Sequence, residues 1–206
     1  MMGDDDVRSI EPLLEGFRRF RAEHFERHPE RYRRLVSEGQ HPLAAVLCCS
    51  DARVDPALLL GVGPGDVFVI RNVANLVPPY QPDEHHHGTS AALEFAVRDL
   101  QVPNLIVLGH AYCGGIRAAI DTLQGHPPDR EFIVPWIELA RPACEAALEA
   151  VPDDTAARAA RAECNGIAQS LRRLRTFPWI DERVRAGELA LHGLWFDLDN
   201  GYLLQV

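Results

Sequence analysis

The sequence predicts an α/β fold, a mainly parallel β-sheet covered by helices and preceded by an N-terminal helical arm, on three observations. Short apolar runs bounded by Pro, Gly or polar residues stand at 43–48, 67–70 and 104–108, as expected of buried parallel strands. Helical patterns fall between and after them, from Gly88 to about Leu100, from Gly114 to Leu123, and over 132–150 and 155–175. A separate amphipathic stretch occupies residues 9–37. Strands alternating with helices imply crossover connections, hence a parallel sheet with helices on its faces.

Each element has its own local reason. In the arm, Leu13, Leu14, Phe17, Phe20 and Phe25 form an apolar stripe, Ser9 can cap the first helix, Pro12 sits early enough to be tolerated, and Pro29 marks a break. Gly39-Gln40-His41-Pro42 closes it, so the single domain of residues 1–206 divides into an arm over 1–40 and a core over 41–206. Gly63-Pro64-Gly65-Asp66 is a turn into the second strand; Pro64 and the strand that follows argue against a dinucleotide-binding loop over Gly61–Gly65. Pro135, Pro142 and Pro152 break the later helical stretches. At the C-terminus, 189–196 and 202–206 read as strands joined by Asp199-Asn200-Gly201.

Composition removes several function classes. Apolar residues make up 47% of the chain, enough for a substantial core. The net charge of −9 argues against a nucleic-acid surface, and no apolar run approaches the length of a membrane span. The opening Met-Met-Gly-Asp-Asp-Asp is acidic where a signal peptide would be basic, so a soluble cytoplasmic protein is expected. The chain contains no lysine, which excludes Schiff-base chemistry, lysine-bound pyridoxal phosphate and Walker-type phosphate loops. Its five cysteines, Cys48, Cys49, Cys113, Cys144 and Cys164, are odd in number in a chain that is not small. Metal binding or catalysis explains a clustered cysteine better than a disulfide framework does.

Ligands of a parallel sheet sit beyond the carboxyl ends of its strands. Two segments leave strands at that edge with reactive side chains: Cys49-Ser50-Asp51-Ala52-Arg53 and Gly109-His110-Ala111-Tyr112-Cys113-Gly114-Gly115. If their strands are neighbours, Cys49, Asp51, His110 and Cys113 converge. Two thiolates, an imidazole and a carboxylate suit tetrahedral zinc, and three firm ligands leave a fourth position for water or substrate. Taken singly, a strand-end cysteine is more often a small buried hydrophobe, and His110 alone could belong to the core. Their joint occurrence carries the reading. Cys48 points to the opposite face from Cys49, and Cys144 and Cys164 read as packing residues. His85-His86-His87 reads as an exposed polar loop, with proton shuttling or a second metal as alternatives.

These residues resemble the hallmarks of the β-carbonic anhydrases, C-x-D-x-R followed by H-x-x-C, and in particular the plant-type branch. The resemblance extends through Arg71-Asn72-Val73-Ala74-Asn75, Val77-Pro78-Pro79-Tyr80, His87-Gly88-Thr89-Ser90, Thr176-Phe177-Pro178-Trp179 and Leu191-His192-Gly193. One departure is Ala52, where the family usually has serine.

The resemblance implies a carbonate dehydratase. It would hydrate carbon dioxide to bicarbonate by attack of zinc-bound hydroxide, with one Zn²⁺ per chain on Cys49, His110 and Cys113 and with Asp51 on the metal only in a closed form. Asp51 would orient the hydroxide and Arg53 would hold Asp51. Gln40, Phe68, Val73, Phe95 and Gly114 would form the substrate pocket, Phe95 across the interface of a homodimer or a higher even oligomer. In relatives with a second, inhibitory bicarbonate pocket, an arginine acts with a tryptophan and a tyrosine; here those positions are Arg71, Val46 and Phe196, so that pocket is expected to be lacking. A hydrolase of carbonyl sulfide or carbon disulfide, and a non-catalytic zinc protein, are the competing readings.

Overall fold

The computed structural model describes residues 9–206, so the acidic opening lies outside the described residues. The chain divides into two compact units, Met1–Gln40 and His41–Val206. In the first, α1 (Glu11–Phe20) runs into a wider helical turn over Arg21–Phe25, and α2 (Pro29–Ser37) follows. Pro12 and Pro29 both sit in first turns, where the missing N–H costs nothing. Thus Pro29 separates the helices by opening the second one. Ser9 Oγ accepts from the Glu11 N–H at 3.3 Å. Phe25 and Tyr32 pack with ring centroids 4.7 Å apart and close the turn between the helices. Neither helix buries a residue completely, and Leu13 and Phe17 stay 76% and 59% exposed.

The second unit is built on a five-stranded sheet in the order β2-β1-β3-β4-β5. Its strands are β1 (Ala44–Cys49), β2 (Val67–Asn72), β3 (Asn104–His110), β4 (Ala190–Phe196) and β5 (Leu203–Gln205). The first four pair in parallel, and β5 returns antiparallel after the turn at Asp199–Gly201. The strands run further than their apolar runs indicate, so Cys49 and His110 are the last residues of β1 and β3.

Helices α3 (Pro56–Leu60), α4 (Gly88–Glu94), α5 (Gly114–Leu123), α6 (Ile133–Ile137), α7 (Arg141–Ala150), α8 (Thr155–Leu174) and α9 (Pro178–Arg185) flank the sheet. Sequence periodicity missed α3 and α9 because each is too short to show a repeat. The ends of α3 are nonetheless encoded: Asp55 caps the Ala57 and Leu58 N–H groups, and Gly61 stops the helix in the left-handed conformation. Pro135 does not break its helix, since it lies in the first turn of α6; the interruption comes at Glu138–Ala140.

The 20-residue α8 lies across β3 and β4, and two glycines make room for it. A Cβ at Gly109 would stand 2.8 Å from Ile167 Cδ1, and one at Gly193 would stand 2.9 Å from Ile167 Cγ2. Ile167 packs with Leu47, Leu105, Val107, Leu174 and Phe177 in the main core. A second cluster gathers Cys49, Ala74, Cys113, Ile116 and Ala162 beneath α5 and α7. Val46, Cys48 and Leu108 form a third with Leu59 and Leu60 of α3. Cys48 therefore packs away from Cys49, as strand alternation requires. Among the described residues no helix is long and apolar enough to cross a membrane.

Candidate metal centre

Parallel pairing of β1 with β3, Cys48 opposite Leu108, brings the ends of these two strands side by side. From His110 the chain passes through Ala111 and Tyr112 and returns at Cys113, the residue that precedes α5. Tyr112 makes this return in the left-handed region, at φ 58°. As a result Cys49, His110 and Cys113, all buried, present ligand atoms within 4.8 Å of one another.

The donor chemistry fits a metal ion. His110 Nδ1 lies 2.8 Å from the Ala111 carbonyl, so Nδ1 carries the proton and Nε2 offers a lone pair. Nε2 is buried and has no hydrogen-bond partner of normal geometry among the described residues. An orphaned acceptor of this kind costs stability unless something positive meets it. The two thiols show the same need. Cys113 and His110 help to push Cys49 down from the usual thiol range, against its burial, while Cys49 and burial push Cys113 up. Two adjacent thiolates cannot both form in an apolar cluster without a cation between them. Burial lowers His110, but Cys49, the Ala111 carbonyl and Asp51 outweigh it and raise its pKa.

Asp51 and Arg53 stand beside this group. Arg53 Nε and an Arg53 terminal nitrogen donate to the two oxygens of Asp51 at 2.9 and 2.7 Å, and the Arg53 N–H adds a third bond at 2.9 Å. The guanidinium holds the Asp51 carboxyl well below the usual carboxylate range, against partial desolvation. Arg53 also donates to the Tyr112 carbonyl at 3.0 Å, joining the two ligand loops. Asp51 Oδ2 is 3.9 Å from His110 Nε2, so the carboxylate flanks the ligand set while paired with arginine.

Residues 44–203 match the sequence model of the carbonic anhydrase family. The chain belongs to this family. Its β class is given by its relatives: the chain is 41% identical over 172 residues to "Beta carbonic anhydrase 5, chloroplastic" of Arabidopsis thaliana. That match takes in 82% of this chain and spans 55% of the relative's length. The solved β-carbonic anhydrase CcaA is 33% identical with a TM-score of 0.85, covering 95% of this chain and 94% of that one. A tetrameric β-carbonic anhydrase of Sordaria macrospora is 26% identical with a TM-score of 0.84, covering 95% of both chains. Members of this family are zinc-dependent lyases that hydrate carbon dioxide, and the Cys-His-Cys group suits that cofactor.

The segment from Arg71 to Asn75 acquires a physical reason within this carbonic anhydrase fold. Asn72 closes the turn at both ends, donating to the Leu76 carbonyl at 2.8 Å and accepting from the Leu76 N–H at 2.9 Å. Ala74 and Asn75 take left-handed backbone angles, φ 66° and 47°. The strain aims the Ala74 N–H at Cys49 Sγ, 3.4 Å away. Trp136 Nε1 donates to the Val73 carbonyl at 2.8 Å, and Ser170 Oγ to that of Asn75 at 3.1 Å, holding the turn in place. Gly115 is needed because a Cβ there would meet Val73 Cγ1 at 2.7 Å. Gly114 opens α5 directly after Cys113.

The expected pocket residues fall into separate groups. Val73 packs with the cluster of Cys49 and Cys113 and lines a cavity of about 490 Å³ with His86, His87, Thr89, Phe132 and Trp136. Phe68 and Phe95 pack on each other, ring centroids 5.8 Å apart, and Phe68 sits against the main core. Gln40 ends the first unit. His87 Nε2 lies 2.6 Å from Asp83 Oδ1 in an exposed loop. Burial pushes the thiols of Cys48 and Cys144 up to about 11 and 12, in keeping with packing roles; Cys164 is half-buried.

Two residues have roles that spacing did not reveal. Arg71, which corresponds to the arginine of the inhibitory pocket expected to be lacking, is bound to backbone: Nε donates to the Cys49 carbonyl at 3.0 Å, and a terminal nitrogen donates to those of Asp51 and Val54 at 2.8 and 2.9 Å. It braces the loop between the first ligand and Asp51. Glu163, on α8, is 5% exposed and accepts from the Cys113 N–H and from Trp195 Nε1, both at 3.0 Å. The available signal was an acidic residue beside Ala162, Gly166 and Ile167, the buried face of an amphipathic helix.

Proposed function

We propose that this chain hydrates carbon dioxide to bicarbonate and a proton, using one zinc ion held by Cys49, His110 and Cys113. The observation that supports this most is the buried Nε2 of His110, without a hydrogen-bond partner of normal geometry among the described residues, gathered with two sulfurs beside a carboxylate locked to arginine. Zinc in such a site acidifies water and so supplies the nucleophile near neutral pH. The protein's own groups do the rest. The Ala111 carbonyl keeps the His110 proton on Nδ1. The Ala74 N–H tempers the charge on Cys49. Asp51, ionised by Arg53, accepts a hydrogen bond from the attacking group and aims its lone pair at carbon. Val73 gives carbon dioxide an apolar wall, and Phe68, Phe95 and Gly114 complete the pocket as the family resemblance implies.

Stopped-flow assay of carbon dioxide hydration by the purified protein should show zinc-dependent turnover, and its absence from zinc-replete protein would sink the proposal. Added bicarbonate should inhibit without cooperativity, because Val46 and Phe196 lack polar groups and Arg71 is committed to three carbonyls.

The working unit is a homodimer or an even multiple of one. The solved Sordaria relatives are tetrameric, and α1 carries Leu13 and Phe17 largely uncovered. Light scattering should give an even multiple of the 23.0 kDa chain mass; an active monomer would reject it. All five cysteines are free, which suits a reducing compartment, so cell fractionation is expected to recover the protein from the cytoplasm.

A further inference from the structure

We infer that Glu163 is a positioning residue for the metal centre: its two carboxylate oxygens tie the backbone of Cys113 to the indole of Trp195, and through that link set where the Cys113 sulfur stands. The inference rests on the reading of Cys113 as a zinc ligand. The return from His110 to Cys113 passes through a non-glycine residue, Tyr112, at φ 58°. A left-handed conformation is strained for a residue with a Cβ and persists only if its neighbours hold it. On one side the Ala111 N–H donates to the Phe196 carbonyl of β4 at 2.9 Å. On the other, the Cys113 N–H donates to Glu163 Oε1 at 3.0 Å, across 50 residues of sequence.

Glu163 is itself immobilised. Its Oε2 accepts from Trp195 Nε1 at 3.0 Å, and Trp195 lies on β4 opposite Gly109, the residue before His110. The carboxylate thus spans α8, β4 and the ligand turn. Burying a carboxylate at 5% exposure is expensive unless donors surround it. Two N–H donors face its two oxygens and offset part of that cost, although burial still pushes the carboxyl up; only an acceptor at both ends serves both. A glutamine has one acceptor oxygen and would turn its NH₂ against a donor. Loss of the bond to Cys113 frees its backbone to rotate, and loss of the bond to Trp195 loosens the carboxylate that holds it; either moves Sγ relative to Cys49 and His110.

The test is Glu163→Gln in the full chain, read by zinc release to a colorimetric chelator and by the thiolate-to-metal charge-transfer band of the cobalt-substituted protein. Zinc release is expected to quicken by about 10- to 100-fold, the usual effect of losing a group that orients a ligand, and the band to shift. A folded Glu163→Gln protein with unchanged release rate and band overturns the inference, whatever its melting temperature. Should that variant fail to fold, Trp195→Phe leaves the bond to Cys113 and frees the other oxygen. It should change release and band in the same direction by less, and no change overturns the inference equally. Wild-type protein that binds no zinc would count against the ligand assignment instead.

Discussion

Cys113→Ser loses its zinc and keeps its sheet. A serine hydroxyl does not ionise under conditions where a thiol beside a dication does, so the variant offers the metal two firm ligands instead of three. Zinc affinity should fall by more than the roughly 100-fold that marks the loss of an orienting group, with hydration activity falling alongside. The fold has other supports. The cluster around Leu47, Val107, Ile167 and Phe177 lies apart from the ligands, and the pairing of β1, β3 and β4 does not use the Cys113 side chain. Placing an unpaired hydroxyl in an apolar cluster costs about 1–3 kcal/mol, so the melting temperature falls while circular dichroism stays native. Metal analysis of the purified variant decides the matter: one zinc per chain would remove Cys113 from the ligand set.

Asp51→Asn gives the opposite pattern, full metal content with activity down by roughly 10²- to 10⁴-fold, the range for losing a positioned proton acceptor. The amide keeps the shape but carries no charge for Arg53, and its NH₂ faces the guanidinium donors that now bind Oδ1 and Oδ2. The pH dependence follows from the direction of the Asp51 shift. Arg53 depresses the carboxyl, so the charged form persists down to acidic pH and is lost only as pH falls below the ordinary carboxylate value of about 4. The activity ratio between wild type and Asp51→Asn should therefore stay flat from about pH 6 to 9. Steady-state hydration rates across that range check it, and near-wild-type turnover by the variant would show that Asp51 has no catalytic part.

The candidate ligand residues and the strands that carry them were legible because their signals are local. An apolar run that ends in Cys-x-Asp-x-Arg, and another that ends in His-x-x-Cys, can be read from neighbours along the chain. Helix α3 was equally local in its Asp55 cap and Gly61 stop, yet with five residues it shows no periodicity. Arg71 was legible as a residue and not as a role. The resemblance gave it only as the arginine of a bicarbonate pocket expected to be lacking, whereas its donors meet carbonyls around 20 residues away, brought alongside by the pairing of β1 with β2.

By itself the sequence determined the α/β class, the alternation of strands with helices, the candidate ligand group Cys49, His110 and Cys113 and the Asp51–Arg53 pair, because periodicity, turn chemistry and short motifs act over a few residues. The tertiary structure alone decided that β1 and β3 are neighbours, that α8 crosses the sheet over Gly109 and Gly193, and that Glu163 reaches the backbone of Cys113. It also decided that the Ala74 N–H meets Cys49 Sγ. These contacts join residues 25 to about 60 positions apart, and their partners are selected by close packing of the core, which no local pattern records.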